Sequence, residues 1–157
     1  MAKQSKYTVL NEDKYIGKNI KNITCRSRWE ERFCSMCDNH PNVIKWASES
    51  VTIKYMHPLE NCVKTYVPDF YVVYQDANGK THAEIVEVKP YNQTNPKYAR
   101  TIKDQEAVVI NMAKWKAANA FCKKHGIKFR IINEQNIYKN TRYSKNVKKR
   151  AVTRKRK

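Results

Sequence analysis

The stretch Thr65-Tyr66-Val67-Pro68-Asp69-Phe70-Tyr71-Val72-Val73-Tyr74-Gln75, followed by Asp76-Ala77-Asn78-Gly79-Lys80 and then Thr81-His82-Ala83-Glu84-Ile85-Val86-Glu87-Val88-Lys89, decides how this chain folds. Its flanks are rich in Val, Ile, Tyr and Phe, which suit a pleated, half-buried strand. The middle is turn chemistry centred on Asn-Gly, so the whole predicts an antiparallel hairpin. If the loop is Asp76–Lys80, Gln75 faces Thr81. The same register carried down the strands sets Asp69 opposite Glu87, on one side of the sheet, with Cβ atoms roughly 4.5–5.5 Å apart. Lys89 lies two residues beyond Glu87 and shares that face. A two-residue Asn78-Gly79 loop would slip the register by one and send the two carboxylates to opposite faces. A shared site therefore requires a three- or five-residue loop, or a bulge.

Two carboxylates at this spacing repel, and one alone would have a raised pKa. A divalent cation held at about 2.0–2.6 Å from each oxygen removes the conflict. Lys89 beside them keeps its proton and suits stabilising a charged phosphorane and positioning an attacking water. General-base action would first need its pKa lowered. Together these residues form a minimal kit for metal-dependent phosphodiester cleavage. The competing reading is a solvated salt bridge between Asp69, Glu87 and nearby lysines; the Pro68-Asp69 step, the hairpin and the basic surface favour the metal site. Glu30, in Arg26-Ser27-Arg28-Trp29-Glu30-Glu31, is a third carboxylate. Ser27-x-x-Glu30 also reads as a capping box in which Glu30 binds the Ser27 backbone, and both readings stand. Glu31 is the substitute candidate, Glu84 reads as a solvated strand residue, and His82 and His125 read as surface residues.

Outward from the hairpin, residues 1–24 are polar with scattered aromatics and read as an extended arm. Ser27 to about Asn39 carries Trp29, Phe33, Met36 and Cys37 on one helical stripe, ended by Pro41. Val43–Ala47 and Val51–Tyr55 read as short strands joined to the hairpin by a turn at His57–Asn61, with Thr65–Gln75 as one continuous strand. Residues 90–101 read as a polar loop and Thr101–Ile110 is ambiguous. Asn111 is expected to cap a helix running to Lys124, with Gly126 as its stop and Ile127–Ile132 as a final strand. Trp115, Ala118 and Cys122 would face the core, while Lys114 and Lys116 face either DNA or water. This order of elements is an α/β sandwich with a mixed sheet.

The 157 residues suffice for one domain, and the 32 Lys and Arg against 14 Asp and Glu give a formal charge of +18. Ten of those cations and no acid lie between Lys139 and Lys157, so the body is basic in its own right. Polyphosphate is the expected partner, with a merely solubilising cationic surface as the alternative. The tail over 138–157 is expected to be disordered without a partner. Its Lys148, Lys149, Arg150, Arg154, Lys155, Arg156 and Lys157, together with Arg26, Arg28 and Lys114 of the body, are the candidate DNA contacts. No apolar run approaches the ~20 residues of a membrane span, and Met-Ala-Lys-Gln-Ser-Lys lacks a signal-peptide core. Five cysteines, an odd number, suggest free thiols in a reducing compartment. Cys34-x-x-Cys37 with His40, His57 and Cys62 offers zinc-type ligands, but no second pair completes a set, so core thiols are expected.

Pro68-Asp69 followed by Glu87-Val88-Lys89 resembles the PD-(D/E)xK nuclease superfamily. Within it the chain is similar to the head completion nucleases of T4-like tailed phages, through Ile23-Thr24-Cys25-Arg26-Ser27-Arg28-Trp29-Glu30, Glu87-Val88-Lys89-Pro90, Lys114-Trp115-Lys116-Ala117-Ala118 and Gly126-Ile127-Lys128-Phe129-Arg130-Ile131. TnsA-type transposon-end nucleases share the same motif plan and remain an alternative. The resemblance implies a restriction-endonuclease-like α/β fold, a mixed central sheet flanked by helices, with a nuclease domain over 25–137. It implies Glu30, Asp69, Glu87 and Lys89 as the catalytic set, the three carboxylates as metal ligands, and Mg2+ as cofactor with Mn2+ able to substitute. It further implies an endonuclease of little sequence preference acting on the end of packaged double-stranded DNA. Such a protein would meet the portal before neck and tail attachment, work in the host cytoplasm during assembly, and could be retained in the virion. A non-enzymatic head–neck protein binding DNA or portal is the rival from another class.

Overall fold

The computed structural model describes residues 4–137. Short strands β1 (Ser5–Tyr7) and β2 (Ile23–Cys25) pair antiparallel and lead into helix α1 (Arg28–Asn39). Strands β3 (Val43–Ser48), β4 (Ile53–His57), β5 (Cys62–Tyr66), β6 (Phe70–Gln75) and β7 (Thr81–Val88) follow. Helix α2 (Ile102–His125), strand β8 (Lys128–Ile132) and the single turn α3 (Glu134–Ile137) complete the described chain. The central sheet runs β3-β6-β7-β8: its first three strands are antiparallel, and β8 lies parallel to β7. A parallel neighbour needs a long crossover, which α2 supplies.

The two faces of the sheet bury separate cores. Phe70, Val72 and Tyr74 of β6 and Val86 and Val88 of β7 pack with Phe33, Cys34 and Cys37 of α1. On the other face Ile85 meets Ala118 and Cys122 of α2, together with Ile53, Tyr55 and Tyr66 of the β4–β5 hairpin. A mixed sheet with a helix on each side is thus the observed architecture, as the order of elements implied.

The hairpin register is the derived one. Gln75 pairs with Thr81 and Phe70 with Val86 across a five-residue loop, Asp76–Lys80. Asp76 Oδ1 accepts the amides of Asn78 and Lys80, and Gly79 takes φ +78°, a left-handed conformation that glycine adopts without strain.

Four expectations change. Thr65–Gln75 is two strands, because Pro68 lacks an amide donor and the chain crosses there from the β4–β5 sheet into the central one. Val51 lies outside β4, which begins at Ile53. Asn111 is not the cap of α2: the helix is capped ten residues earlier by Thr101, whose hydroxyl accepts the Asp104 amide while the Asp104 carboxylate accepts the Thr101 amide. The loop over 90–101 contains two 3-10 turns, Tyr91–Gln93 and Pro96–Tyr98.

The arm expected over residues 1–24 contributes to the core in its described part. Val9, Tyr15 and Ile23 are buried with Trp46, whose ring stands edge-on to Tyr15 at 4.7 Å between centroids. Asp38, at the end of α1, accepts the Tyr7 hydroxyl and the amides of Leu10 and Asn11, stitching this segment down. The tail over 138–157, with its seven candidate DNA-binding cations, lies outside the described residues.

Trp46 is fully buried between the N-terminal segment and the sheet. Trp46→Ala should cost about 3–5 kcal/mol, as deletion of a large buried ring does, read as a shift in the urea midpoint at unchanged slope.

Candidate active site

Asp69 sits one residue outside β6, where the ladder with β7 ends. Its carbonyl accepts the Glu49 amide at 2.9 Å, and its Oδ2 accepts the Val88 amide at 2.8 Å. Asp69 is therefore tied to both neighbouring strands. Glu87 belongs to β7 and is 4% exposed, although it is a carboxylate. Its Oε2 accepts the Tyr66 hydroxyl at 2.6 Å, and its Oε1 lies 3.4 Å from Lys89 Nζ. The amide of Lys89 bonds the Ile132 carbonyl at 2.9 Å, so β8 fixes the backbone that carries this lysine.

Glu30 enters from the first turn of α1. Ser27 accepts the Glu30 amide, as a cap should. Glu30 Oε2, however, reaches past Ser27 to the Arg26 amide at 3.0 Å, so the capping box is only half made. Burial raises the Glu30 carboxyl above its ordinary range; the Arg26 amide and guanidinium pull it back, and Glu49 and Glu87 push it up. Asp69 is raised well above its ordinary range, first by burial, then by the charges of Glu87 and Glu30. Glu30, Asp69 and Glu87 thus feel one another electrostatically, and the fold brings together the carboxylates singled out in the sequence, with Lys89 beside them.

Two residues had no assigned place in this group. Tyr66, the last residue of β5, orients Glu87 and keeps its proton because burial and the Glu87 carboxylate oppose ionisation. Its position immediately before Val67-Pro68-Asp69 was the available signal. Glu49 follows β3 in the left-handed region at φ +49° and pairs with Arg26, which ties one of the candidate DNA-binding cations to a carboxylate. Arg28 is exposed at the start of α1. Lys114 lies over the rings of Tyr55 and Tyr66, not on a plainly solvated face.

Other expectations resolve away from the site. Glu84 is fully buried on the α1 side of the sheet, with Arg130 Nε at 3.2 Å and the Tyr74 hydroxyl at 3.2 Å, and is not a solvated residue. His82 pairs with Asp76 at 2.8 Å and stacks on Tyr74, and His125 lies against Phe121. Cys34 and Cys37 are core thiols. Cys25 Sγ lies 3.7 Å from Cys34 Sγ, while His40 and His57 accept nearby backbone amides.

The donor chemistry suits a hard divalent ion. Among the described residues Asp69 Oδ1 makes no hydrogen bond, and Glu87 brings a nearly buried carboxylate close by. Among the described residues no three His, Cys, Asp or Glu side chains close into a cage. A two-carboxylate site leaves the remaining positions to water and phosphate oxygens, the habit of Mg2+ rather than of a structural zinc.

A mixed sheet with an Asp, a Glu and a Lys converging at the end of its central hairpin defines a nuclease of the restriction-endonuclease-like class. Residues 40–134 match the family model described as TnsA-like endonuclease N terminal, and the chain belongs to that endonuclease family. The chain is 33% identical over 147 residues to the head completion nuclease of Enterobacteria phage T4, an alignment covering 87% of this chain and 95% of that protein. Among the described residues no helix is long and apolar enough to cross a membrane.

A raised carboxyl pKa means that ionising Asp69 costs folding free energy. The stability it contributes is complete below the ordinary carboxylate range, about pH 4, and is lost as pH rises through its folded value. Asp69→Asn should therefore melt higher than wild type in EDTA at neutral pH, with the gap closing as pH falls towards that range. Added Mg2+ or Mn2+ should raise the wild-type Tm and leave that of the variant nearly unchanged. Thermal melts over a pH series check both.

Proposed function

We propose that this endonuclease is a metal-dependent deoxyribonuclease that hydrolyses double-stranded DNA with little sequence preference, using Mg2+ and accepting Mn2+. The observation that carries this reading is the convergence of Asp69 and Glu87 with Lys89 at 3.4 Å from Glu87 Oε1. Asp69 and Glu87 would hold the cation, and Glu30, on its own helix, is the third carboxylate candidate. When bound, the metal supplies Lewis-acid stabilisation of phosphoryl charge and an acidified water. Lys89, 3.4 Å from Glu87 Oε1, would direct its side chain at a phosphate oxygen and orient the attacking water. Tyr66 holds Glu87 in one rotamer throughout. Glu30 is both the partner of the Arg26 amide and a ligand candidate. Loss of that backbone bond when the metal arrives would let one side chain serve both roles.

The formal charge of +18 supports a polyanionic substrate, and nothing in the sequence resembles a base-reading motif, so phosphate contacts would dominate. Likeness to the head completion nuclease of phage T4 supports action on packaged DNA during head completion, with portal or neck proteins as partners and the host cytoplasm or virion as its place. The cations between Lys139 and Lys157 would anchor the protein along the DNA.

Plasmid cleavage by purified protein in Mg2+, Mn2+ or EDTA, beside Asp69→Ala and Lys89→Ala, tests the reading. Nicking or linearisation that requires metal and falls at least a hundredfold in each variant is expected. Wild type that binds duplex yet never cuts it would favour the non-enzymatic head–neck protein instead. Replacing Lys148, Lys149, Arg150, Arg154, Lys155, Arg156 and Lys157 by Gln should flatten the dependence of binding on salt while leaving cleavage at low salt intact. An unchanged slope would remove the tail as an anchor.

A further inference from the structure

Lys114 stands midway along α2, one turn before Ala118, which is buried against the sheet. Its Nζ lies 5.6 Å from the ring centroid of Tyr66 and 5.8 Å from that of Tyr55. Tyr66 is the residue whose hydroxyl holds Glu87. The ammonium therefore rests on the ring whose far end is bonded to a carboxylate of the active site.

The placement is costly as it stands. Among the described residues Lys114 has no carboxylate within ion-pair distance and no oxygen accepting from its ammonium, although its side chain is only partly exposed. Its three donors are thus left to solvent among the described residues. Burial and the nearby Lys89 charge pull its pKa below the ordinary lysine value, and Glu87 offsets only part of this. The two tyrosine faces favour the charged form and fix where the charge sits. Two ammonium groups, Lys89 and Lys114, thus lie near Glu87 and near each other, where a polyanion would relieve their repulsion.

We propose that Lys114 is a phosphate-positioning residue of the active site: from its seat over Tyr55 and Tyr66 it holds a backbone phosphate next to the one being hydrolysed. This rests on the reading of the substrate as DNA. Lys89 then serves the reacting phosphate and Lys114 its neighbour, so the strand is gripped on both sides of the bond that breaks. Neutral substitutes cannot do this, whereas arginine can.

Binding of a short DNA duplex, followed by fluorescence anisotropy in EDTA over a salt series, tests it with wild type, Lys114→Met, Lys114→Gln and Lys114→Arg. Methionine retains the packing across the rings and glutamine is a second neutral variant; thermal melts establish that each is folded. Both neutral variants should bind several-fold more weakly at low salt and lower the slope of log affinity against log salt by about one, with arginine restoring the slope. In Mg2+ their loss in kcat/KM should fall mainly on KM. Wild-type affinity and slope in both neutral variants would overturn the proposal, as would a loss confined to kcat. If wild type binds but does not cut, the nuclease reading fails by itself, and the salt slopes still decide whether Lys114 contacts phosphate.

Discussion

The ladder between β6 and β7 fixes almost everything else in this molecule. Its five-residue turn sets which residues oppose one another, and that choice puts Phe70, Val72, Tyr74, Val86 and Val88 on one face and Tyr71 and Ile85 on the other. A slip of one residue would exchange the two faces, drive charged side chains into the α1 core and part Asp69 from Glu87. Selection against the slip therefore comes from packing, and the active site inherits a geometry that the hydrophobic cores enforce on both sides of the sheet.

Within that frame, the site consists of carboxylates kept where they are uncomfortable. Glu87 is nearly buried with one tyrosine hydroxyl and one ammonium for company, and Asp69 has one amide. Burial and mutual repulsion raise the carboxyl pKa values of Asp69 and Glu30 above their ordinary range, so ionising them in place is unfavourable. Glu84, three strand positions before Glu87, shows the contrasting solution. On the opposite face it is buried just as deeply, but Arg130 from β8 and the Tyr74 hydroxyl stabilise it, leaving nothing for a metal to relieve. The same residue type is thus met by an arginine on one side of β7 and lies among other carboxylates on the other.

Much of this was legible in the sequence because it follows from local periodicity. The hairpin register came from counting back from the turn, α1 from its apolar stripe and serine cap, and the helix-on-each-face plan from the order of elements. What was hidden depended on contacts distant along the chain. Glu84 looks solvated until Arg130, forty-six residues later, is laid beside it. The start of α2 escaped because Ile102, Val109 and Met112 are exposed, so its first half shows no clean stripe, and its capping box uses Asp104 in place of the more familiar Glu or Gln. Thr65 and Tyr66 looked continuous with β6, and only the turn of the chain at Pro68 reveals that Tyr66 faces Glu87 from a different sheet.

The parallel pairing of β7 with β8 has a bearing on synthesis. Until residues 128–132 have left the ribosome and α2 has folded back, the strand bearing Glu87 and Lys89 is an open edge, and the Lys89 amide lacks its partner on Ile132. Pairing across a forty-four-residue separation is slow to form compared with a hairpin. The surroundings of Glu87 and Lys89 are therefore completed only once residues 128–132 have been made and have paired with β7.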